Sequence, residues 1–231
     1  MCARLHRASQ SVSATRMKRL VVFLAFLSVG LSAPLPSCDA LLRPIDIRNE
    51  QMLGRWLYIG GSSDLPGSRS LGLLLNNAWL DVSATSRSNV LTIVQTQRIY
   101  GECSSLKYNV TMENGTLLIE HPFYLKEVYL KSDCPDCLVV YEEVNSTQDS
   151  FRSLLLFSRQ RSVSAAHVDL LRRQAKCLEM PSPLLIDPTH DLCPDNLESS
   201  DGLDALNSLL EAKMAHRVAR LLDKLFDFFV N

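Results

Sequence analysis

Cysteine is the first side chain in this sequence whose placement could do chemistry. Cys134-Pro135-Asp136-Cys137 has the spacing of a thiol redox pair, in which one sulfur is held as a thiolate beside a helix N-terminus. Here the motif sits between two strand-like runs, which offer no helix dipole, so the expected role is a local disulfide closing a turn. Cys38, Cys103, Cys177 and Cys193 complete an even set after the leader, which Cys2 precedes. An even set in an exported chain reads as disulfides, although spacing alone leaves their connectivity open. His121, His167, His190 and His216 are scattered without metal-ligand spacing. No Ser/His/Asp set stands out, and fully paired cysteines leave no thiol nucleophile. The expectation is therefore no catalytic residue, no metal and no cofactor.

A second combination links the two ends of the strand-rich region. Gly54-Arg55-Trp56 heads the first strand, and Arg159 follows the last long apolar run, Phe151 to Phe157. If eight antiparallel strands close into a barrel, the first begins and the last ends at the same rim. A guanidinium would then lie on an indole face, worth about 1–2 kcal/mol when desolvated. The plainer alternative is a core tryptophan and a solvated arginine.

The elements that must position these residues begin after a leader. Met17-Lys18-Arg19 precedes the apolar run Leu20 to Leu31 and the small residues Ser32 and Ala33, the pattern of a secretory signal. The run is too short to span a bilayer comfortably. Residues 1–33 carry five basic and no acidic side chains, so setting them aside takes the formal charge from −1 to −6. A mildly acidic chain without a basic stripe is a poor nucleic-acid binder. The expected organisation is a leader over 1–33, one domain over 34–196 and a tail over 197–231.

Within the domain, Arg55 to Ile59 reads as the first strand. A Gly/Ser/Pro-rich connection, Gly60 to Asn76, is long enough to be a lid or binding loop. Strand-like runs then recur at Ala78–Thr85, Val90–Tyr100, Ser105–Met112, Thr116–Glu120, Phe123–Leu130, Leu138–Val144 and Phe151–Phe157. Asn114-Gly115 is the strongest hairpin signal among the turns. Eight strands joined by short turns predict an all-β, up-and-down antiparallel barrel. One helix, Ala165 to Leu178, follows the eighth strand, with Ser164 as its cap and Val168, Leu171 and Ala175 on one face. It should pack outside the barrel.

A small eight-stranded barrel has room for one small ligand. The sequons at Asn109, Asn114 and Asn145 mark expected glycosylation sites, which must face outward. Strand parity then turns Tyr108, Val110 and Met112 inward. Trp79, Ile93, Tyr141, Leu155 and Phe157 complete the expected lining; a filled apolar core is the alternative. The first connection and the one near Asn145 should open on the mouth, with the Asn114-Gly115 turn at the opposite end.

These residues carry a resemblance to the lipocalins: Gly54-Arg55-Trp56, Arg159, the eight-strand spacing and the helix after the eighth strand. Within that family the chain resembles the branch of alpha-1-acid glycoprotein and apolipoprotein M, with the related fish toxin-binding proteins. Gln95-Thr96-Gln97-Arg98, Cys103, Glu113-Asn114-Gly115-Thr116, Cys177-Leu178 and Cys193 carry that finer likeness. The resemblance implies bonds from Cys38 to Cys177 and from Cys103 to Cys193. The chain departs from the branch at the third bond, where Cys134 meets Cys137. Positions that hold basic residues in the relatives correspond here to Leu106, Ile119 and Tyr124. The implied cavity is more apolar than theirs and favours a neutral or aromatic ligand or a weak base over an organic anion.

Beyond the likeness, Leu203, Leu206, Leu210, Met214, Val218, Leu221, Leu225 and Phe229 recur at helical spacing. Residues 201–231 are therefore expected to form an amphipathic helix. Docking on the barrel, a helical partner or a lipoprotein surface would each satisfy its apolar stripe. The reading as a whole is a secreted, glycosylated, non-enzymatic carrier of a small lipophilic molecule. Its alternative is a lipid-surface protein acting through that tail.

Overall fold

The structure, a computed structural model, describes residues 36–146 and 150–211. The expected leader over 1–33 and the tail from residue 212 onward lie outside them.

Eight strands follow one another around a closed antiparallel barrel: β1 Gly54–Ser63, β2 Leu75–Ala84, β3 Val90–Ile99, β4 Glu102–Glu113, β5 Thr116–Ile119, β6 Tyr124–Leu130, β7 Cys137–Asn145 and β8 Ser150–Ser158. Each pairs with the next, and β8 pairs back onto β1 from Leu57↔Ser158 to Ser63↔Ser153. The up-and-down barrel expected from the strand spacing is the fold observed. Closure removes both free sheet edges, so the strands satisfy most of their backbone on two sides. β1 runs four residues further than its apolar pattern indicated. Gly60-Gly61-Ser62-Ser63 have low strand propensity, yet they pair with β8 across a register shift at Tyr58/Gly60. The first connection shortens to residues 64–74 and holds a helical turn, Ser68–Gly72.

The ends of the barrel match the expected polarity. At the base, the segment before β1 crosses the turns: Asn49 Nδ2 donates to Ser88 O at 2.6 Å, and Asp46–Ile47 lie against Asn114-Gly115. At the mouth, Tyr100 N donates to Leu74 O at 2.8 Å, and Arg152 pairs with Asp64 at 2.8 Å.

Helix α1, Ala165–Cys177, packs outside the barrel through Val168, Leu171 and Ala175. Its buried Gln174 donates to Leu41 O (2.9 Å) and Lys131 O (3.3 Å). Ser164 stands at the N-cap but makes no side-chain cap bond; its hydroxyl meets His167 Nδ1 at 3.1 Å instead. Leu171 and Ala175 cover the outer faces of β7 and β8, where Val139, Leu154 and Leu156 are buried. This part of the barrel is therefore apolar on both faces.

The six described cysteines form Cys38–Cys177, Cys103–Cys193 and Cys134–Cys137. The first two span 139 and 90 residues, and constraints of that reach stabilise by about 2–4 kcal/mol each.

The wall has a short course. β5 has only four residues and pairs with β4 only from Thr111 to Glu113, leaving the upper part of β4 without a neighbour there. The C-terminal segment fills that gap. Ser200–Asp201 pairs in parallel with Leu106–Lys107, and helix α2, Gly202–Glu211, follows at once. The backbone at Gly202 passes so close that a Cβ would stand 2.7 Å from Tyr108 Cδ1, which explains a glycine there. Leu203 packs against the interior cluster. Within Gly202–Glu211, the expected amphipathic tail therefore begins as part of the barrel.

Candidate functional site

Side-chain parity decides what the barrel encloses. Trp56, Tyr58, Ile93, Tyr108, Leu138, Val140, Leu155 and Phe157 point inward around a cavity of about 280 Å³. A second hollow of similar volume adjoins it at the mouth, sharing Tyr58, Leu75, Gln97 and Leu155 and reaching Leu65, Ser68 and Leu184. The two together lie in the size range of small-molecule sites.

The base is closed by one half-buried cation. The Arg159 guanidinium carbon lies 3.5 Å from the Trp56 ring centroid. Nη1 donates to Arg55 O at 2.8 Å, and Nη2 to Leu53 O (2.6 Å) and Gln51 O (3.2 Å). Trp56 Nε1 donates in turn to Met52 O at 2.7 Å. Gly54 completes the group: its φ is +89°, and a Cβ there would meet Arg159 Nη1 at 3.1 Å. Burial lowers the arginine's pKa, a shift only partly opposed by Asp136.

Of the expected lining, Ile93, Tyr108, Leu155 and Phe157 border the cavity. Val110 and Met112 also point inward but fill the apolar core below it. One expectation is refined and one is corrected. Trp79 is among the residues that border the cavity. It pairs across from Leu57 while its neighbour Leu80 pairs with inward-facing Trp56, so its indole faces out. There it is 1 % exposed, with the Arg55 guanidinium 5.1 Å over its ring and Nε1 donating to Asp81 Oδ2 at 3.2 Å. Arg55 also binds Asp81 and Asp195 at 2.7 Å each, which pins the C-terminal segment over this face. Tyr141 is the correction. Leu138, Val140 and Glu142 are the inward residues of β7, and Tyr141 lies outside, its hydroxyl 3.3 Å from Glu143 Oε1.

What the apolar reading missed is a pair of carboxylates. Glu127 on β6 and Glu142 on β7 are direct cross-strand partners, both lining the cavity and hydrogen-bonded to each other. Tyr129 donates to Glu127 Oε2 at 3.3 Å, and Tyr108 donates to Gln95 Oε1 at 3.0 Å. Ser153 also supports Glu142. Burial raises both carboxyls. Glu127 is pushed well up, further by the charge of Glu142, and Glu142 titrates at about 7. As pH rises above about 7 the pair thus comes to share one proton and carry a negative charge. The same burial, with the nearby carboxylates, raises Tyr58, Tyr108 and Tyr129. Among the described residues, no Lys, Arg or His lines this cavity.

All six described cysteines are disulfide-bonded, so none is a free thiol. Cys134 and Cys137 do lie beside a helix start after all: their sulfurs and a ring nitrogen of His167 fall within 4.8 Å of one another. As a disulfide the sulfurs cannot ligate a metal as thiolates do. Asn109, Asn114 and Asn145 are all exposed.

A closed eight-stranded barrel with a hollow core, a base sealed by Trp56 and Arg159, and a helix after the last strand is a lipocalin. Residues 45–198 match the family model described as the ApoM domain, two thirds of the chain, and the protein belongs to that family. Two solved structures share the fold. One, titled "The Siderocalin Ex-FABP functions through dual ligand specificities", is 13% identical with a TM-score of 0.55. The other, "Odorant Binding Protein OBP1", is 17% identical with a TM-score of 0.54. Each alignment covers 65% of this chain and 99% of the other. No curated protein matches the sequence.

Proposed function

We propose that this lipocalin is a secreted, glycosylated, non-enzymatic carrier of a small lipophilic molecule, held in the barrel between Ile93, Tyr108, Leu155 and Phe157. The observation that carries the reading is the cavity itself. It is enclosed by strand walls, largely apolar in its lining, and continuous in its lining with the hollow at the mouth. Burial of ligand surface there yields affinity at about 25 cal/mol per Å², with orientation left to a few polar groups. The disulfides fit an oxidising compartment, the leader fits export, and the exposed sequon asparagines fit glycosylation. The structural neighbours' titles name ligand and odorant binding, which accords with carriage.

The test is to purify the protein from its native fluid, denature it, and identify released small molecules by mass spectrometry. A stoichiometric lipophilic compound, absent after Leu155→Trp fills the cavity, is the expected result. Release of nothing, together with no uptake of apolar fluorophores by the stripped protein, would sink the reading.

A further inference from the structure

The carboxylate pair is out of place in a cavity meant for a neutral lipid. Burying acidic groups without a counter-charge opposes folding, and apart from the uncharged Gln95 and Gln97 the cavity walls elsewhere are apolar or aromatic. The pair faces one another from adjacent strands, and both side chains open onto the same hollow. The groups that face it are Tyr58 from β1, Tyr108 from β4, Tyr129 from β6 and Ser153 from β8, none of them cationic. The counter-charge that the wall lacks must come from what the cavity holds.

We propose that the ligand is a lipophilic cation, with one ammonium head seated between Glu127 and Glu142 and an apolar body against Ile93, Leu155 and Phe157. This rests on the carrier reading and narrows it to one ligand class. An ammonium donates up to three hydrogen bonds and neutralises the single charge that the pair carries, inside walls where such bonds are strong. A neutral alcohol leaves that charge uncompensated. An anion adds a second charge beside it in a low dielectric. Because the cation favours the ionised pair, its binding expels a proton, and affinity must rise with pH through the range where the pair titrates.

The experiment titrates the full chain with three probes of one shape: naphthalen-1-ylmethanamine, naphthalen-1-ylmethanol and naphthalene-1-carboxylate, read by quenching of tryptophan fluorescence. The amine should bind about tenfold more tightly than the alcohol at pH 8, with the carboxylate weakest. Amine affinity should fall about tenfold towards pH 5.5 while alcohol affinity stays level. Glu127→Gln and Glu142→Gln should each erase the amine's advantage over the alcohol. An alcohol that binds as tightly as the amine, or an advantage that survives in both variants, overturns the cation assignment and leaves the carrier standing. Binding of none of the three probes would remove both.

Discussion

Two charged sites sit at different heights of this barrel, one half-buried at the base and one on the cavity wall, and their surroundings differ in one respect. Arg159 at the base has a partner on every side: three backbone carbonyls in the plane of the guanidinium and an indole across its face. Glu127 and Glu142, on the wall of the cavity, have little beyond each other, one tyrosine hydroxyl and one serine. A charge whose partners belong to the fold holds the fold together. A charge whose partner is missing from the fold raises its own pKa and waits for a guest. The base is thus built for stability, and the wall gives up stability for recognition.

This contrast breaks first at Trp56. Trp56→Ala should cost about 3–5 kcal/mol in denaturant unfolding, because it removes the indole and strands the guanidinium against a cavity. Arg159→Lys keeps the charge but loses the planar fork that reaches Arg55 O and Leu53 O together; a loss of about 2 kcal/mol is expected by the same measurement. At the wall the sign reverses. The folded-state pKa of Glu142, about 7, lies above the ordinary value of 4.5. Its ionisation therefore disfavours the folded state: stability is full at acid pH and declines as pH rises through about 7. Glu142→Gln should raise the ligand-free unfolding free energy by about 1–3 kcal/mol at pH 8 and leave it unchanged near pH 4.5. A loss of stability at pH 8 would show that the pair is structural, like the base. The smallest effect belongs to Tyr141→Phe, which lies outside the wall. Probe affinity should not change, and stability should shift by about 0.5 kcal/mol or less.

The base was legible in the sequence and the wall was not, for a physical reason. Gly54, Trp56 and Arg159 are an uncommon combination at positions that only closure of a barrel brings together. The alternation of β4 was equally readable because exposed Asn109 fixes which residues turn inward. On β7 that signal vanishes. Helix α1 covers the outer face, so Val139 and Tyr141 look as apolar as Val140 on the inner one. With both faces apolar, hydrophobicity favours Tyr141 over Glu142 as the interior residue, and the choice is wrong by one position. The orientation of Trp79 is masked in the same way: its strand is buried outside by the segment that Arg55 and Asp195 pin in place. Pairing of Leu138, Val140 and Glu142 against Leu155 and Phe157 was the one cue that could have shown the carboxylate, and it needs the register across β7 and β8.

The short β5 gives the molecule an order of assembly. The upper flank of β4 stays bare until Ser200–Asp201 arrives, and Leu203 then reaches the interior beside Tyr108. Those residues are synthesised some forty positions after β8 ends, on a stretch that Cys103–Cys193 fastens to β4. The vessel is therefore watertight only once its last plank is laid, and a nascent chain halted after α1 would have a floor and a helix but a seam open down one side.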